Sequence, residues 1–171
     1  EAVTVPTINI TGANSGDENS TVTFNKAVTS SSGITLDDNT GVTKVIFAAN
    51  NTVNIASTID GGADNEGTIQ VTGATKTFTS TIGGTYDVGT LNIDNTSIYT
   101  GAVTVDSLDI AANKTATFKN NVTLNTSATI NSSATFLVAS ADSAAAITVA
   151  GSVLGASDGV GTVQITNTGD T

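Results

Sequence analysis

Apolar residues along this 171-residue chain recur as pairs two positions apart, each pair split by one polar or small residue. The pairs are Ile8/Ile10, Val22/Phe24, Ile34/Leu36, Val53/Ile55, Ile69/Val71, Leu91/Ile93, Val103/Val105, Leu108/Ile110, Val122/Leu124, Ile147/Val149 and Val163/Ile165. Side chains alternate between the two faces of an extended strand, so each pair predicts a short strand with two inward residues. No segment holds apolar residues at helical spacing for two turns or more. Glycine, Asn and Asp turns lie between the pairs, as in Asp60-Gly61-Gly62, Ile82-Gly83-Gly84 and Ser157-Asp158-Gly159. Short strands at even spacing predict an all-β sandwich, barrel or solenoid.

Two repeated words favour the solenoid. Thr21-Val22-Thr23-Phe24, Thr75-Lys76-Thr77-Phe78, Thr115-Ala116-Thr117-Phe118 and Ser133-Ala134-Thr135-Phe136 share the form [ST]-x-T-F and hold four of the five phenylalanines. A second word, Gly-Thr-aliphatic-[QN]-aliphatic, occurs at Gly67 to Val71, Gly89 to Ile93 and Gly161 to Ile165. Its first two copies are 22 residues apart, about one coil of a right-handed parallel β-helix. Residues 1–171 are therefore expected to form a single β-solenoid domain, or a segment of a longer array. Coils would stack at about 4.8 Å, with Phe24, Phe78, Phe118 and Phe136 in an internal column and Thr and Asn in outward ladders. The alternative is a β-sandwich, or two small ones divided near Gly83-Gly84.

Composition narrows the chemistry. The chain has no Cys, His, Met, Trp or Arg, and 15 acidic groups against 5 lysines leave a net charge of -10. Nucleophilic triads, imidazole bases and ordinary zinc sites are thereby removed. So is a bidentate clamp for phosphate. A chain this acidic is repelled by a phosphate backbone, so nucleic acid is not expected as a partner. No apolar run approaches the ~20 residues of a transmembrane helix. Charged residues make up only 12%, while β-branched residues abound, which separates this composition from that of disordered chains.

Carboxylates are the remaining acid-base groups. Asp37 and Asp38 are adjacent and would point to opposite faces of a strand; Asp106 and Asp109 bracket Ser107-Leu108 without converging. Both pairs read as solvated turn or surface groups, and no enzyme is expected. Calcium fits better, since hard cations take oxygen ligands. The densest acidic loop, Asp60-Gly61-Gly62-Ala63-Asp64-Asn65-Glu66, makes Asp60, Asp64 and Glu66 the candidate ligands, with Asp17-Glu18-Asn19 a weaker cluster. Neither matches an EF-hand loop. No other cofactor is expected. Asn-x-Ser/Thr triplets begin at Asn9, Asn19, Asn50, Asn95, Asn113, Asn121, Asn125 and Asn131; they are glycosylation acceptors in a eukaryotic or archaeal secreted protein, an Asn- and Thr-rich composition supplies several by chance, and modification is expected at some of them at most. Tyr86 and Tyr99 are the aromatic candidates for exposed contacts.

Ile59 to Ile93, with its Asp60-Gly61-Gly62, Gly67-Thr68-Ile69-Gln70-Val71, Thr77-Phe78 and Ile82-Gly83-Gly84, resembles the repeat regions of alphaproteobacterial surface proteins. It is similar to autotransporter passenger domains and to the rickettsial surface-antigen family. The resemblance covers about a fifth of the chain and implies an exported β-solenoid used for adhesion or for coating the cell. No C-terminal barrel sequence accompanies it. Surface-layer and extracellular-filament subunits, and phage fibres, share the Thr, Asn, Gly and Ala composition or the same coils. Glu1-Ala2 suits a position just after signal cleavage. The expected location is thus extracellular or on a bacterial surface. The expected partner is the chain itself as oligomer or polymer, with surface polysaccharide or a host receptor as the alternative.

Overall fold

The computed structural model describes residues 1–12, 19–39, 41–140 and 146–167. Every described regular element is a strand, and every strand pair is parallel. Parallel neighbours cannot be joined by hairpins, so the chain must travel round before pairing with itself. It does so in about seven turns of a β-solenoid.

One face is an eight-stranded sheet of β1 (Val3–Val5), β4 (Val28–Ser30), β7 (Val53–Ala56), β10 (Lys76–Phe78), β12 (Ser97–Tyr99), β14 (Thr115–Phe118), β16 (Thr135–Ser140) and β18 (Thr162–Asn167). A seven-stranded face contains β3 (Ser20–Phe24), β6 (Thr43–Phe47), β9 (Glu66–Val71), β11 (Val88–Ile93), β13 (Val103–Ile110), β15 (Val122–Ile130) and β17 (Val149–Gly155). The third face starts as β2 (Ile8–Thr11), β5 (Ile34–Asp37) and β8 (Ile59–Gly61). It continues through Ile82 into the first residues of β13, β15 and β17. β13 and β15 each turn between two faces at a register shift, a bend that an irregularity in the ladder provides.

The core is a set of ladders, one residue per coil. Ile8, Ile34, Ile59, Ile82, Val103, Val122 and Val149 form one. Another runs Val22, Val45, Ile69, Leu91, Leu108, Ala128 and Val153. Inward and outward residues alternate as the paired pattern predicts, for example buried Leu91 and Ile93 around half-buried Asn92. The sandwich alternative does not occur. At its expected division the Gly83 amide donates to the Ile59 carbonyl at 2.8 Å, and the Thr104 amide donates to that of Ile82 at 2.9 Å, so the ladder runs through the Gly83-Gly84 turn.

The phenylalanine column forms and is longer than expected. Phe24, Phe47, Phe78, Tyr99, Phe118 and Phe136 follow one another with ring centroids 5.8, 5.3, 5.0, 4.9 and 4.7 Å apart. Phe24 and Phe47 enter from the seven-stranded face and the rest from the eight-stranded face; the crossing at Phe47–Phe78 is edge-to-face, a favoured geometry for aromatic pairs. Tyr99, expected as an exposed contact, has 0% of its surface accessible. Its position pairs with Phe78 and Phe118 in register, where an outward ring would leave a gap in the column.

The two words behave differently. Gly67 to Val71 and Gly89 to Ile93 are stacked coils, with Thr68 opposite Thr90 and Gln70 opposite Asn92. Gly161 to Ile165 lies on the other large face, above Phe136 and Val138. At the last described coil the inward positions lose their cover: Val163 is 54% and Ile165 79% exposed.

Candidate functional site

Acidic side chains concentrate where β5, β8 and β9 meet their turns. Asp60 lies in β8, and its Oδ1 accepts the backbone N–H groups of Gly84 at 2.6 Å and Thr85 at 3.2 Å in the next coil. Asp64 turns to the same coil, accepting the Asp87 amide at 3.4 Å. Glu66 turns the other way. Its Oε2 accepts from Ala63 at 3.0 Å and from the Asp38 amide of the preceding coil at 3.3 Å. Asp38 answers through Oδ2, which accepts the Gly67 amide at 3.0 Å, while its Oδ1 accepts the Thr43 amide at 2.7 Å and hydroxyl at 2.6 Å.

The three candidate calcium ligands are thus neighbours in sequence, of which Asp60 and Asp64 serve the next coil and Glu66 the preceding one. No group of three or more His, Cys, Asp or Glu side chains among the described residues is placed to hold a metal ion. A buried or half-buried backbone amide must be satisfied, and these carboxylates satisfy the turn amides. Asp17 and Glu18 of the weaker cluster lie outside the described residues. Gly67 is fixed by packing as well as conformation: its φ is 79°, and a Cβ there would lie 2.4 Å from that of Leu36.

Asp37 and Asp38 do not converge, as expected; Asp37 accepts the Asn39 amide at 3.1 Å, as in a local Asx turn. Asp106 and Asp109 are likewise separate. Asp106 accepts the Thr126 hydroxyl at 2.7 Å, and Asp109 accepts the Asn131 side-chain amide at 2.7 and 3.1 Å. Both bonds run from one coil to the next. That amide of Asn131, which opens one of the Asn-x-Ser/Thr triplets, also donates to the Ile110 carbonyl at 2.9 Å.

Beside the acidic turns is an open cleft of about 230 Å³ lined by Thr35, Asp60, Gly61, Gly62, Thr85 and Tyr86. Tyr86 is 45% exposed, in keeping with its expected role as a surface aromatic. The glycines keep the floor low.

Lys76 carries chemistry that the sequence did not advertise. It occupies the x of an [ST]-x-T-F word, and the residue two before the Phe is also inward. Lys76 is buried among the coils, its Nζ donating to the Ala49 carbonyl at 2.7 Å and to the Ala74 carbonyl. Burial lowers its pKa below the ordinary lysine value. The ammonium ties together two successive corners, with no carboxylate among its hydrogen-bond partners in the described residues. Alternation of the neighbouring apolar pairs was the signal that would have found it.

No helix among the described residues is long and apolar enough to cross a membrane. Neither a protein-family model, nor a curated protein, nor a solved structure matches the chain.

Proposed function

We propose that this chain is an exported structural protein of a bacterial cell surface that assembles with its own copies into an extracellular layer or filament. The observation that carries the reading is a continuous set of parallel ladders that run through every described coil. Stacked coils resist bending because each backbone pairs with the next along the whole rod. Outward-facing carboxylates and amides are spent on linking coils: Asp60 to Gly84, Asp106 to Thr126, Asp109 to Asn131. A net charge of -10 favours solubility of such a rod. The resemblance of Ile59 to Ile93 to surface-protein repeats supports the same reading.

A second reading, a stalk or passenger that binds polysaccharide or a host receptor, is favoured by the cleft at Tyr86 and Asp60. An exposed aromatic beside a carboxylate offers a sugar both a stacking face and a hydrogen-bond acceptor. Negative-stain electron microscopy of purified protein, beside size-exclusion chromatography, separates the two. Ordered sheets or filaments are expected; a monomer at all concentrations that retains a glycan in a Tyr86-dependent manner would replace the first reading with the second.

A further inference from the structure

We infer that the cleft beside Tyr86 holds one amino-sugar residue of a polysaccharide, its ammonium on Asp60 and its pyranose ring against the tyrosine. This deepens the glycan reading of that cleft and rests on it.

Size and shape set the scale of the ligand. The cleft measures about 230 Å³, below the roughly 300–1,000 Å³ of sites that enclose a drug-sized molecule. It therefore suits one ring of a longer chain lying along the surface. Gly61 and Gly62 line it, and no side chain can grow from either to fill it. A Cβ on Gly61 would lie 2.4 Å from the Ala63 carbonyl oxygen, and one on Gly62 would lie 2.8 Å from the Asp37 Cβ. Tyr86 is 45% exposed, whereas the five phenylalanines and Tyr99 are all buried in the column. It is thus the one ring of the chain free to stack on the apolar C–H face of a sugar.

Charge selects the sugar. Asp60 spends Oδ1 on the Gly84 and Thr85 amides, which leaves Oδ2 to a donor on the ligand. The same edge of the solenoid, where the third face passes into the seven-stranded face, carries Asp37, Asp38, Asp64, Glu66, Asp87 and Asp106. Its turns hold no lysine. The negative potential of this edge repels phosphorylated, sulfated and uronic-acid sugars and attracts a cation. An ammonium set between a carboxylate and the face of a tyrosine gains from a charge-assisted hydrogen bond and from the ring quadrupole together. Thr35, paired with Asp60 in the ladder, and Thr85 add hydroxyls to the lining that match those of a pyranose. A lysine side chain brings the same ammonium on a thin stem without hydroxyls, so it would leave both threonines unused.

The test is isothermal titration calorimetry of the 171-residue chain with a glucosamine oligosaccharide, its N-acetylated counterpart and a lysine peptide of equal charge. Circular dichroism shows that each variant is folded. The glucosamine oligomer is expected to bind with a Kd of about 0.1–1 mM. N-acetylation removes the charge and should weaken binding at least about tenfold. Tyr86→Ala, a change at an exposed position, should weaken it about tenfold, and Tyr86→Phe less than about twofold. Asp60→Asn keeps an acceptor for the Gly84 and Thr85 amides and should weaken binding about five- to tenfold. Equal, Tyr86-dependent binding of the two oligomers would overturn the role of the ammonium and leave the glycan reading standing. Tighter binding of the lysine peptide with the same dependence on Tyr86 would overturn the sugar and make the cleft a receptor for protein lysines. Binding indifferent to both Tyr86→Ala and Asp60→Asn would overturn the site. Binding of neither oligomer would overturn the inference and the glycan reading together.

Discussion

Ser133 holds a φ of 57° at the corner between β15 and β16, in the left-handed region that side chains other than Asn and Asp rarely adopt. Its counterpart one coil earlier is Asn113, with φ 62° in a turn of the same form. In each turn an amide closes back three residues, Ala134 onto the Asn131 carbonyl and Lys114 onto that of Ala111. The Asn113 amide donates to the Ser132 carbonyl, so the two corners are stacked. Replacing Ser133→Asn should stabilise the fold by about 0.5–1 kcal/mol, because Asn tolerates this conformation at less cost. Thermal and urea unfolding should both show the gain, and Ser133→Ala should show none. At the same scale, Lys76 was hidden by its type: a lysine signals surface unless the alternation around it is followed through.

At the scale of the strand, β12 and the aromatic column depend on one polar pair. The Ser97 hydroxyl donates to the Tyr99 hydroxyl at 3.0 Å, and both side chains are buried. Burial pushes the Tyr99 phenol well above its ordinary value, an effect that the Ser97 bond only partly offsets. The folded chain then keeps this proton at pH values where the unfolded chain loses it. Stability from Tyr99 is therefore complete below about pH 10 and is lost as pH rises beyond that. Tyr99→Phe should flatten that alkaline loss. At neutral pH it should cost about 1–3 kcal/mol by leaving the Ser97 hydroxyl unpaired, and Ser97→Ala in the same protein should return most of it. In a Tyr86→Phe background, phenolate absorbance should appear only as the chain unfolds. Sequence reading placed four of the six rings in the column; Phe47 lies outside the [ST]-x-T-F word, and Tyr99 carries a hydroxyl whose partner two residues away could be judged only in the assembled strand.

For the molecule as a whole, the acidic turns act as connectors between coils. Asp60, Asp64, Glu66 and Asp38 already accept turn amides, so the turns are held by hydrogen bonds that require no ion. Excess chelator should leave the unfolding midpoint unchanged, and so should added calcium, as measured by differential scanning calorimetry. Asp38→Asn should lower it, since one carboxylate serves the Thr43 amide, the Thr43 hydroxyl and the Gly67 amide at once. The loss expected is about 1–3 kcal/mol. A calcium-dependent midpoint would instead return the Asp60 to Glu66 loop to the role that its composition suggested.

Strand by strand, the sequence alone determined which way side chains point, because alternation is built into the extended backbone and needs no distant partner. Ile69, Leu91 and Leu108 could be read as inward from their own neighbours. The absence of His, Cys and Arg was equally local and removed whole classes of chemistry without reference to any fold. Which strands stack on which was settled only by tertiary structure. Coils differ in length, being tighter from Tyr99 to Phe118 than from Val28 to Ile55, so similar words fall on different faces. Gly161 to Ile165 repeats the word of Gly67 to Val71 yet pairs on the opposite large face. The destination of a carboxylate in a turn is of the same kind: Glu66 reaches back to Asp38 and Asp60 forward to Gly84, across contacts that exist only once the coils are stacked.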